Sequence, residues 1–226
     1  MKYKILIAGL LAINAFFMQS CNDSTKSTTT TTEMDSPMNN NMMNDTMNSG
    51  KMNMDNGMMQ SMTGMMGKMD AMTMTGDFDL DFANMMMMHH QGAIDMSEME
   101  IAKGTDAQIK TMAQNIITGH KVEIDKMQQW VKGYKIPGEK KQTGEMHNEL
   151  GETMKAMMDK MNNMKIMGNT DKDYAMMMIP HHEAAVKMAE DEIGHGKVAT
   201  LKIMAQKMIA DQNNEIKLFK DFMSKN

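Results

Sequence analysis

The stretch Met85–Ala102, MMMMHHQGAIDMSEMEIA, decides the fold because it returns further along the chain. Displaced by 92 positions without a gap (His89 to His181), Phe82, Met86, His89, His90, Ala93, Met96, Glu100 and Ile101 fall on Tyr174, Met178, His181, His182, Ala185, Met188, Glu192 and Ile193. The register continues: Met112, Ala113, Ile117, Glu123 and Ile124 fall on Met204, Ala205, Ile209, Glu215 and Ile216, while His120 meets Gln212. An internal repeat of about 50 residues, long enough for two helices, is the organising unit.

Apolar spacing predicts helices over 77–103, 106–132, 171–194 and 197–223. Gly104-Thr105 and Gly194 to Gly196 separate the members of each pair, so each pair reads as a tight antiparallel hairpin. Between the hairpins, 134–143 reads as a loop carrying Pro137-Gly138. A fifth helix, 145–165, has Met154, Met157, Met158, Met161 and Met164 on one side and carries the chain back to the second pair. At 100° per residue, Phe82, Met86, His89, Ala93, Met96 and Glu100 share a narrow arc with His90 on its shoulder; Asn84, Gln91, Asp95 and Glu98 lie opposite, in water. The second copy turns Tyr174, Met178, His181, His182, Ala185, Met188 and Glu192 inward, places Pro180 on the outer side, and is expected to kink there. His120 sits in the middle of the apolar face of its own helix, with Glu123 at the edge; Gln212 and Glu215 take those places in the second half.

Upstream, Lys2 and Lys4 precede an apolar run from Ile5 to Phe17 and then Met18-Gln19-Ser20-Cys21. This is the order of a secretory signal over 1–20, too short to span as a mature membrane helix. Cys21, the one cysteine, forms no intrachain disulfide. Its place resembles the lipobox cysteine of a bacterial lipoprotein, with Met18 where Leu is usual, so an exported, lipid-anchored chain of the cell envelope is expected, with an ordinary cleaved signal as the alternative. The formal net charge is -5 and every basic residue is Lys, which argues against nucleic acid as a partner.

Residues 21–76 are rich in Ser, Thr, Asn and Met and read as a flexible tether. Its methionines recur at short spacings, as in Met59-x-x-Met62, Met66-x-x-Met69 and Met72-x-Met74, which lets thioethers converge on a soft monovalent ion. The competing reading is that Met58, Met62, Met65, Met69 and Met72 form one stripe of a short helix lying on the bundle, against which Gly64 and Gly67 count.

The segments FDLDFANMMMMHHQGAIDMSEMEIA and DKDYAMMMIPHHEAAVKMAEDEI resemble the two halves of the ferritin-like family catalogued as domain of unknown function 305, over about Asp77 to Met223. The resemblance implies an all-α, ferritin-like antiparallel four-helix bundle, built over 77–226 from two hairpins (about 79–130 and 171–222) joined by a helical crossover. It also implies export and, in some members, copper binding and tolerance. Gln is common in the family at the place of His120, so the two halves are not equivalent here.

The candidate metal ligands are His89, His90, His181, His182 and His120, with Met86, Met96, Met178 and Met188. Imidazole with thioether favours copper as Cu(I), and by the same softness silver as Ag(I). The Glu-x-x-His pairs of ferritin-type di-iron sites are missing, since the one such spacing, Glu192-x-x-His195, has Lys103 at the matching place. A buried network from His to Glu100, Gln212 or Glu215 is the alternative for the histidines, and His147 and His195 read as surface residues. The expected function is an envelope protein that captures or buffers copper, with a metal-dependent redox enzyme or a structural lipoprotein as alternatives. Catalytic residues are not evident: no nucleophile with its base, phosphate loop or acid–base carboxylate pair appears. Partners are the metal ion and the membrane, with homo-oligomerisation or a metal-transfer partner also compatible.

Overall fold

The computed structural model describes residues 56–137 and 145–226. Among the described residues there are six helices and no strand: α1 (Asn56–Asp70), α2 (Phe78–Lys103), α3 (Ala107–Gly133), α4 (Glu145–Asn162), α5 (Thr170–His195) and α6 (Ala199–Lys225). Asp77, Asp106 and Asn169 cap α2, α3 and α5 with their side-chain oxygens, answering amides that have no partner in a first helical turn. The signal at 1–20, Cys21 and residues 21–55 lie outside the described residues.

Within each hairpin, α2 packs on α3 and α5 on α6, and the halves join through α2 and α5. Asp79, at the start of α2, accepts the amides of Lys197 and Val198 beyond the end of α5 (2.9 and 2.7 Å). Asp171, at the start of α5, accepts those of Thr105 and Asp106 beyond the end of α2 (2.8 and 2.7 Å). These reciprocal bonds require α2 and α5 to run antiparallel, so the pseudo-two-fold axis passes midway along both helices, beside His89 and His181.

Part of the segment read as tether is helical. In α1, Met58, Met62, Met65 and Met69 are buried while Gly64 and Gly67 face open space, so the stripe reading describes 56–70. A glycine inside a helix costs about 1 kcal/mol, whereas burying a methionine contributes about 1.5–3 kcal/mol. Four buried thioethers outweigh two glycines. The helix docks on α2 at Gly92, where a Cβ would stand 2.7 Å from Met65 Sδ and 2.9 Å from Met62 Cε.

The same 92-residue register (Gly76 to Gly168) extends to this helix. Met58, Met62, Met65 and Met69 fall on Leu150, Met154, Met157 and Met161, which α4 buries against α5. Gly76 and Gly168 both hold a positive φ (82° and 75°). Asp81 accepts the amides of Thr75 and Gly76, and Asp173 those of Met167 and Gly168. The repeat therefore has three helices per copy rather than two, and the units extend upstream of 79 and 171.

Two expectations change because α1 and α4 cover faces that the four-helix reading left to water. Pro180 is buried, not on an outer side, because α4 lies over it, and α5 runs on through it to His195. Asn84 and Asp95, expected in water, are half-buried, and Asp95 accepts the Ser61 hydroxyl at 3.4 Å.

Candidate metal centre

The antiparallel crossing of α2 and α5 brings all five predicted histidines into one layer. His89, His90, His181 and His182 are completely buried and His120 is 4 % exposed. The rings of His89 and His181 face each other across the axis with centroids 3.6 Å apart. His90 stacks on His120 at 4.0 Å, and His120 stands 5.8 Å from His182.

Glu123 of α3 and Glu215 of α6, repeat partners of each other, meet the outer histidine of each pair. His90 Nε2 lies 2.8 Å from Glu123 Oε2, and His182 Nε2 lies 2.8 Å from Glu215 Oε2. Donor atoms of His90, His120 and Glu123 all come within 4.8 Å of one another. These two carboxylates were not among the predicted ligands; the signals were His120-x-x-Glu123 and Gln212-x-x-Glu215, each one turn apart on a helix. A cleft of about 430 Å³ between α3 and α6 is lined by His120, Glu123, Gln212 and Glu215, so the layer opens to solvent along one side.

Several of these groups lack partners. Both ring nitrogens of His89, of His181 and of His182, Nδ1 of His90, and both side-chain polar atoms of Gln212 are buried without a hydrogen bond, the close His182–Glu215 approach lacking hydrogen-bond alignment. Each such atom costs about 1–3 kcal/mol when left so, and native interiors hold few of them. Burial, reinforced by the neighbouring imidazoles, pushes the pKa of His89, His120 and His181 well below the ordinary histidine value. At neutral pH these rings are uncharged, the form that binds metal. A neutral, converging, unpartnered imidazole set fits a soft or borderline cation.

Met86, Met96, Met178 and Met188 are all fully buried in the same core. Met86 and Met178 precede His89 and His181 by three residues, about 4.5 Å along the helix axis. Met96 and Met188 lie about 10 Å beyond on the other side. His147 falls among residues whose side chains are outside the described set. His195, read as a surface residue, is instead half-buried and 3.1 Å from Glu149.

Glu100 does not partner the histidines. It lies at the end of α2, fully buried beside Asp171, and burial together with that carboxylate raises its pKa to about 8. Glu192, its repeat partner, is raised to about 9 by burial and by Asp79. Both stay protonated at neutral pH.

The pH dependence of stability follows. Between the unfolded carboxyl pKa of 4.5 and about 8–9, the folded chain holds protons on Glu100 and Glu192 that the unfolded chain has lost, so stability falls as pH rises through this window. Below 6.5 the unfolded chain protonates histidines that the folded core keeps neutral, so stability falls as pH drops. The metal-free protein is expected to be most stable near about pH 6. Denaturant melts across pH check this, and Glu100→Gln with Glu192→Gln should flatten only the alkaline limb.

The family model for the domain of unknown function DUF305 matches the chain twice, over residues 16–131 and 79–223. The chain belongs to the DUF305 family. CopM in its Cu(II)-bound form is 30% identical to this DUF305 chain, covers 65% of it and 96% of CopM, and aligns with a TM-score of 0.50. A DUF305 protein from Streptomyces coelicolor, described as secreted, shares the fold at 22% identity (67% of this chain, 95% of that one, TM-score 0.52). So does a DUF305 fragment from Deinococcus radiodurans at 17% identity (66% and 97%, TM-score 0.50). A comparison with curated proteins gives no significant match. Among the described residues, no helix is long and apolar enough to cross a membrane.

Proposed function

We propose that this DUF305 protein captures or buffers copper as Cu(I), with Ag(I) held by the same donors, and so contributes to metal tolerance in the cell envelope. The observation that carries the reading is the buried layer of five histidines, rich in unpartnered ring nitrogens. The ligands would be His89, His90, His181 and His182, with His120 beside them and Met86 and Met178 one turn away; Met96 and Met188 form the outer rim. Copper-bound CopM, a relative of similar fold, supports the metal class. In this reading α2, α3, α5 and α6 form a ferritin-like four-helix core. Cys21 carries a lipid anchor, and the Met-rich residues before α1 collect ions loosely.

A strut role for the histidines would be met by the His90–Glu123 hydrogen bond, and at His182 only by a 2.8 Å approach to Glu215 without hydrogen-bond alignment. It leaves His89 and His181 unexplained, since neither has a hydrogen-bonding partner on either nitrogen. Anaerobic titration of the full chain with Cu(I) against a chelating competitor tests the proposal. One ion that resists the competitor, and is displaced by Ag(I), is expected. Uniformly weak binding would contradict it.

A further inference from the structure

A second group of metal-ligating side chains gathers where α4 meets the last turn of α5. Asp191 and His195 are four residues apart and share one helix face, and Glu149 reaches them from α4. His195 Nε2 lies 3.1 Å from Glu149 Oε2, and one ligating atom from each of the three residues falls within 4.8 Å of the other two.

Asp191 is only 6 % exposed, yet Lys187 takes one carboxylate oxygen and leaves buried Oδ2 without a hydrogen bond. The side chains of His195 and Glu149 are 37% and 43% exposed, so the group is reachable from solvent. Phe78 packs edge-on against the His195 ring at 5.6 Å and fixes its plane. The carbonyl end of α5 adds partial negative charge at the same place.

His195 is 13 residues beyond His182 on the same helix, about 20 Å away, so this group is separate from the histidine layer. The first half has Met99 and Lys103 where the second has Asp191 and His195, so the repeat does not duplicate it. Two carboxylates and one imidazole are hard-to-borderline donors, suited to a divalent ion and poorly suited to Cu(I).

We propose that Glu149, Asp191 and His195 form a separate site for a borderline divalent cation of the Zn(II) class, which clamps α4 to the end of α5. Isothermal titration of the full chain with Zn(II) tests it, alongside His195→Gln and Glu149→Gln. Both substituted side chains are partly exposed, and melts without metal verify that the fold is kept. The unsubstituted chain should take up one more Zn(II) than either variant. Its thermal midpoint should rise with Zn(II) by an increment that both variants lose, while Cu(I) affinity stays the same in all three. Equal Zn(II) stoichiometry and equal thermal shifts in the three proteins would overturn the site. Loss of Cu(I) binding together with Zn(II) binding would overturn its separateness from the histidine layer.

Discussion

Replacing His89 and His181 together with leucine is expected to abolish tight Cu(I) binding while leaving the metal-free protein as stable as before, or more so. The two rings face each other at 3.6 Å, completely buried, with no hydrogen bond to any of their four nitrogens. Leucine fills comparable space without polar atoms, so it removes unsatisfied groups that cost about 1–3 kcal/mol each. Copper affinity should fall by more than about 100-fold, the upper range for loss of a single outer-shell partner. Chelator competition and denaturant melts on the same preparation give both readouts. A destabilised variant that still binds Cu(I) tightly would make the histidines structural.

The histidine layer was legible from the sequence because two independent regularities agreed. The helical period put His89 and His90 on the core side, and the gapless repeat put His181 and His182 in the same places. What the sequence left open was the partner of each inward polar group. Glu100 lies on the same arc as His89, but its neighbour Asp171 is brought to it only by the antiparallel crossing of α2 and α5, a relation that periodicity within one helix does not contain. Helix α1 is legible only as the competing reading, for a different reason. Gly64, Gly67 and the low-complexity sequence around them count against a stripe that the repeat register, Met58 to Leu150 and Met62 to Met154, supports. A four-helix reading in which α1 and α4 do not cover the bundle leaves Pro180 and Asp95 in water.

Substituting Gly104 and Gly196 with alanine is expected to give the largest loss of stability. At Gly104 a Cβ would stand 1.9 Å from Glu100 Oε1 and 2.7 Å from the Glu100 backbone oxygen. At Gly196 the corresponding distances to Glu192 are 2.2 and 2.6 Å. The carboxyl could swing away, but it is buried against Asp171 or Asp79, and the backbone oxygen receives the glycine's own amide (2.7 and 2.9 Å). Relief therefore requires the end of the helix to move. Overpacking of this kind costs about 1–3 kcal/mol per site. The two glycines lie at opposite ends of the α2–α5 crossing, so the effects should add to about 2–6 kcal/mol. Urea melts of the single and double variants check this; changes within about 0.5 kcal/mol would mean the helix ends are loosely held.

In the proposed function, copper sits on the histidine layer rather than on thioethers of the Met-rich segment. X-ray absorption at the copper edge, on the full chain loaded anaerobically with one equivalent of Cu(I), tests it most directly. Imidazole nitrogen is expected as the principal scatterer, with the outer-ring signature of histidine. A shell made of sulfur alone, unchanged by the His89→Leu and His181→Leu substitutions, would contradict it.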